Sequence, residues 1–149
     1  MSRRRKLLVL AEGRSGDPHF GKTARGVIRY APQDVVCVLD SQSDATVHEG
    51  FPLVRTVDDA LRYAPTTALV GVATQGGRFP PAWRALLEEC IQAGLDVENG
   101  LHEFLTEDEE LTELARKRGV ELRDLRKAPP GLNVPTGENL THDATSILM

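Results

Sequence analysis

Gly16-Asp17-Pro18-His19-Phe20-Gly21-Lys22-Thr23 fits the phosphate-binding pattern G-x-x-x-x-G-K-[ST] letter for letter. In such a loop successive backbone N–H groups curl round phosphate oxygens, the lysine reaches the outer phosphates and the hydroxyl holds Mg²⁺. Several features weigh against that use here. Pro18 has no N–H to donate, and Asp17 would bring negative charge towards an anion. The apolar run before the loop ends near Ala11, which leaves residues 12–15 as extra chain, and the helix after it has only about two turns before Ala31-Pro32. The expectation is a loop that lends Glu12, Gly13, Lys22 and Thr23 to the rim of a crevice. ATP with Mg²⁺ is the lesser reading for this domain.

Three further groups of residues could do chemistry. Asp40 closes an apolar run about 20 residues after the loop, where the acid of a dinucleotide-binding fold holds ribose hydroxyls. The glycines at 13, 16, 21 and 26 do not reproduce G-x-G-x-x-G, however, and Asp40 reads equally as a polar residue ending a strand. In "ATQGGR", 73–78, Gly76 and Gly77 would let a ligand approach the backbone and Arg78 could pair with an anion; a plain Gly-Gly turn is the alternative. Asn99, Gly100, His102 and Glu103 bring together an amide, an imidazole and a carboxylate, so His102 and Glu103 are candidate acid–base groups. A histidine beside a strand end also serves as a structural hydrogen-bonding group. His19, His48 and His142 lack metal-ligand spacing, and no metal is expected.

The elements that must position these groups follow a βα rhythm, the pattern of a Rossmann-like three-layer α/β/α domain with a mostly parallel sheet of five to six strands. Strands are predicted at 6–11, 34–40, 67–73, 95–99 and 120–125, with a brief extra one at 52–54. Helices are predicted at 22–31, at 57–64 behind the Thr56 to Asp59 capping signal, from Trp83 to Gly94, and at 107–118 with Thr106 as N-cap and Gly119 ending it. Trp83, Leu86, Leu87, Cys90 and Ile91 make the clearest apolar stripe. From 128 the chain turns rich in Pro, Gly, Asn and Thr without a period, so the reading is a domain over 1–127 and a linker or tail over 128–149.

Composition excludes some partners. Eighteen basic against 22 acidic residues in 149 give a net charge of −4, which offers no broad face for nucleic acid. No apolar run approaches membrane-spanning length. Cys37 and Cys90 sit in apolar segments without a C-x-x-C pairing, which fits a reduced cytoplasm.

The stretches "KLLVLAEGRSGDPHFGKTARGVIRYAPQDVVCVLDSQ", "GVATQGGRFPPAWR", "AGLDVENGLHEFL" and "LRDLRKAPP" lie in the order found in a known family. Over about residues 5–137 the chain resembles the N-terminal Rossmann-like domain of a two-domain family long catalogued as of unknown function. That family includes D-glutamate (D-amino acid) N-acetyltransferases and proteins named as NAD-dependent epimerase/dehydratases. Its first loop generally keeps the Lys-Thr-Ala matched by Lys22-Thr23-Ala24, and its nucleotide-binding glycine loop belongs to a second, P-loop domain. The resemblance implies a small-molecule ligand, acetyl-CoA or NAD(P) as cofactor, a C-terminal P-loop domain as partner, and no activity for this domain alone. A non-enzymatic domain that assembles homo-oligomers is a third reading.

Overall fold

A computed structural model describes residues 5–131. The chain runs β1 (Leu7–Leu10), α1 (Lys22–Tyr30), β2 (Val35–Leu39), β3 (Val47–His48), β4 (Phe51–Val54), α2 (Val57–Leu61), β5 (Thr67–Val70), α3 (Trp83–Gln92), β6 (Asp96–Asn99), α4 (Glu109–Arg118) and β7 (Leu122–Asp124). These strands form one sheet in the order β3-β4-β2-β1-β5-β6-β7, parallel throughout except for β3 against β4. Setting the antiparallel edge strand aside, the parallel strands follow the dinucleotide-fold order 3-2-1-4-5-6.

The strand residues explain the layering. All four residues of β1 and of β5 are buried, as apolar runs covered on both faces must be. Side chains alternate between faces. Leu8, Leu10, Cys37, Leu39 and Val97 pack towards α2, α3 and α4 through Ala60, Leu87, Ile91 and Leu111. Leu7, Val9, Val38 and Leu69 pack towards α1 through Ala24 and Ile28. Gly71 lets α1 dock: a Cβ there would lie 2.6 Å from Val9 Cγ1, and its carbonyl accepts the Ala24 N–H at 2.7 Å. The buried Glu98 on β6 is matched by Nη1 of Arg5 and of Arg123, each at 3.1 Å, so the charge is not left unpaired.

The architecture is the expected one, with differences at the elements. The sheet has seven strands rather than five to six, because residues 47–54 form a short hairpin whose first arm is only two residues long. The helix expected over 57–64 ends at Leu61, although Thr56 caps it as read, its Oγ1 accepting the Asp59 N–H at 3.0 Å. The last helix starts at Glu109, capped by Asp108 rather than Thr106. Asp108 accepts the Leu111 N–H at 3.0 Å, whereas the Thr106 hydroxyl donates to Asp124 at 2.7 Å. Gly119 ends that helix at φ 67°, as expected. Of the tail read over 128–149, residues from 132 on lie outside the described residues. Among the described residues no helix is long and apolar enough to cross a membrane.

Candidate functional site

Strand order reverses between β1 and β5, so the turns leaving β1, β5 and β6 gather at one end of the sheet, where open α/β folds bind ligands. The turn after β1 is organised from within. The Asp40 carboxylate accepts the Gly13 N–H at 2.8 Å, the Ser15 N–H at 3.1 Å, the Gln42 N–H at 3.0 Å and the Ser15 hydroxyl. Asp17 Oδ1 accepts the His19 and Phe20 N–H groups at 2.8 and 2.9 Å. Arg14, Asp17 and Gly21 donate their N–H groups to the carbonyls of Ala11, Arg14 and Asp17. The amides of Gly13 to Ser15, Asp17 and His19 to Gly21 are therefore engaged by the chain's own oxygens, and those of Lys22 and Thr23, at the start of α1, are not. Gly21 has a packing reason of its own, since a Cβ would sit 2.6 Å from the carbonyl oxygens of Arg14 and Asp17. The second glycine of the pattern is thus accounted for without a nucleotide.

The protonation of these carboxyls follows. Burial opposes charge on Asp40, but hydrogen bonds from the Ser15 hydroxyl and the Gly13, Ser15 and Gln42 amides outweigh it and hold the group below its ordinary value. The Phe20 and His19 amides likewise lower Asp17. Glu12 turns to Ser41, accepting its N–H at 2.8 Å and its hydroxyl.

The other two turns are fastened to each other. The Gly77 carbonyl accepts the N–H groups of His102 at 2.9 Å and Glu103 at 3.1 Å, and Glu103 Oε2 accepts the Phe79 N–H at 2.8 Å. Gly76 and Gly77 hold φ of 74° and 67°. A Cβ on Gly77 would lie 2.3 Å from His102 Cδ2, so the glycine lets the histidine lie directly on the backbone. The first turn joins them through Ala73 N–H to Phe20 carbonyl at 2.8 Å.

Two clefts flank the shared wall Val72-Ala73-Thr74. One, of about 670 Å³, is lined by Glu12, Gly13 and Arg78 together with Gln42, Phe20 and Trp83. The other, of about 600 Å³, is lined by Lys22, Thr23, Gly76, Gly77, Gly100 and His102 together with Arg126. Most sequence-derived candidates thus meet at the switch point, divided between two clefts. Three do not line either. Asp40 is only 3% exposed and is engaged as described. Asn99 is fully buried, donating to the Glu103 carbonyl and Asp124, each at 2.8 Å, and accepting the Leu101 N–H. Glu103 lines a separate cavity of about 350 Å³ with Phe79 and Arg84, so His102 and Glu103 do not act on one space. Among the described residues no cluster of His, Cys, Asp or Glu could hold a metal.

Sequence reasoning passed over two residues. Asp124 ends β7 and accepts from Asn99 Nδ2, Leu105 N, Thr106 N and the Thr106 hydroxyl, and so does for the third turn what Asp40 does for the first. Both are aspartates closing a strand, which is the shared signal. Arg126, two residues on, enters the second cleft.

Comparison with known proteins gives the family of the chain. A family profile described as "Domain of unknown function (DUF1611_N) Rossmann-like domain" matches residues 38–128. A D-glutamate N-acetyltransferase of Tritonibacter scottomollicae is 28% identical over 85 residues, covering 57% of this chain and 25% of that protein. One from a Pseudoalteromonas species is 28% identical over 93 residues, covering 62% and 27%. This chain thus spans about a quarter of the length of those relatives. The crystal structure of a DUF1611 family protein from Anabaena variabilis superposes with a TM-score of 0.77 at 28% identity, over 92% of this chain and 41% of that one. Staphylococcus aureus homoserine dehydrogenase superposes at 0.52 with 14% identity, over 83% and 33%, a likeness of fold alone.

Proposed function

The chain belongs to the DUF1611_N family of Rossmann-like domains, and on that premise we propose that it is a ligand-binding domain serving N-acetylation of a D-amino acid. The observation that supports this most is the locking of three turns round the strand-order reversal, which leaves two clefts with preset walls. The small-molecule ligand, the amino-acid acceptor or acetyl-CoA, occupies these clefts. Acetyl-CoA would supply the thioester carbonyl that the amine attacks, the C–S bond breaking as the C–N bond forms so that the CoA thiolate leaves and takes up a proton. For that attack the ammonium must lose a proton, and His102, exposed on the rim of the second cleft, is the group placed to take it. Asp40 and Asp124 position the turns. The domain binds, and transfer itself needs the P-loop domain to which the family resemblance points.

The strand order and the homoserine dehydrogenase likeness raise an NAD(P) reading, but the residues here do not fit that cofactor. The acid that would hold ribose hydroxyls is engaged by Gly13, Ser15 and Gln42, and the glycine fingerprint is missing. Thermal unfolding of this chain with D-glutamate, acetyl-CoA and NAD(P) tests the choice. Saturating ligand at about 100 Kd stabilises by about 2.7 kcal/mol, so D-glutamate or acetyl-CoA raises Tm by several degrees and NAD(P) leaves it unchanged. A rise with NAD(P) alone would overturn the proposal.

A further inference from the structure

The cleft between the β5 and β6 turns is lined by cations alone among charged side chains. Its side chains include Lys22, His102 and Arg126, and no aspartate or glutamate lines it. In a chain of net charge −4, ten of the described cations, among them Arg5, Arg14, Arg84 and Arg123, pair with carboxylates. Lys22 and Arg126 have no such partner among the described residues, nor do Lys6, Arg29, Arg78 and Arg118, but only Lys22 and Arg126 share a cleft.

The nearby acids are engaged elsewhere. Glu103 accepts the Phe79 N–H, and Asp124 is surrounded by Asn99, Leu105 and Thr106. The backbone that carries each cation is held in place. Lys22 opens α1, whose first turn is tied to the sheet by the Ala24 to Gly71 bond. Arg126 stands between two anchored neighbours, with the Leu125 N–H bonded to the Asn99 carbonyl at 2.8 Å and the Lys127 N–H to the Asp124 carbonyl at 3.1 Å. Two cations at one cleft without a counter-charge repel each other, and an anion between them turns that repulsion into attraction. The guanidinium adds a planar fork suited to carboxylate or phosphate.

We propose that this cleft is an anion subsite in which Lys22 and Arg126 hold a carboxylate or phosphate of the ligand. The inference rests on the ligand-binding reading above and assigns the ligand class, an anion. The source is the side-chain or α-carboxylate of a dicarboxylic amino acid, or a phosphate of the acyl donor.

Isothermal titration of the chain at low ionic strength with D-glutamate and with inorganic pyrophosphate separates the two sources. At least one probe binds, Lys22→Ala and Arg126→Ala each weaken it by about 10-fold, and added NaCl lowers the affinity. Arg118→Ala, outside the cleft, leaves it unchanged, and circular dichroism shows every variant folded. Binding that the two alanine variants leave within about 2-fold overturns the subsite while the ligand-binding reading stands. If neither probe binds the parent chain, the subsite is overturned, and titration with acetyl-CoA then decides the broader reading separately.

Discussion

Replacing Asp40 by Asn tests whether this carboxylate builds the first turn. The side chain keeps its shape, and its oxygen can still accept from Gly13 and Gln42. The new amide NH₂ then faces the Ser15 N–H, a donor against a donor, where Oδ2 accepted at 3.1 Å. Ser15 is 5% exposed, so water does not readily replace the lost acceptor. One orphaned buried N–H costs about 1–3 kcal/mol, and losing the charge weakens the remaining bonds, so the total is about 2–3 kcal/mol. For a domain of this size that lowers Tm by roughly 5–10 °C. The assay is urea unfolding at pH 7 and again in acid. Because the folded Asp40 titrates below its ordinary 3.8, its contribution is complete above that value. It is lost as pH falls through the lower folded value. The gap between parent and Asp40→Asn therefore closes in acid. A difference under about 0.5 kcal/mol at pH 7, as for an ordinary surface change, or a gap that stays constant into acid, would refute the reasoning.

Three other outcomes follow from the same geometry. Gly77→Ala strains a residue at φ 67° and drives a methyl into the His102 ring, so urea unfolding shows a loss of about 1–3 kcal/mol. Cys37 and Cys90 are buried, and burial pushes both thiols up to about 12; a thiol reagent at pH 8 finds neither in the native chain and both in denaturant. Because the amides of residues 13–21 are largely engaged internally, MgATP leaves the amide NMR signals of residues 13–21 little changed, whatever contact its phosphates make with Lys22 from the cleft.

Local signals were enough to read β1, β2 and β5, because these are apolar runs buried in the middle of the sheet. The cap at Thr56 and the stop at Gly119 were equally legible, since both are decided within one helical turn. The start of α4 was not. Thr106 has the right chemistry for a cap, but Asp124, 18 residues away, takes its hydroxyl and leaves the role to Asp108. The same distance effect hid the roles of Asp40 and Asp124, whose partners lie 25–27 residues along the chain for the most telling bonds. The hairpin arm Val47–His48 carries too few residues to show a period. Glu103 adjoins His102 in sequence, yet the turn sends the two side chains to different cavities. Arg126 follows β7 at the start of an irregular stretch, and only the fold brings it to the cleft that Lys22 also lines.

Amide NMR mapping of the chain titrated with D-glutamate and with pyrophosphate bears most directly on the claim that the switch-point turns, and not the engaged first loop, receive the ligand. The account requires the largest shifts at Lys22, Gly76, Gly77, Gly100, His102 and Arg126, with residues 15–20 little changed. Shifts centred on Gly16 to Gly21 would mean that the loop opens to wrap the anion, and would contradict it.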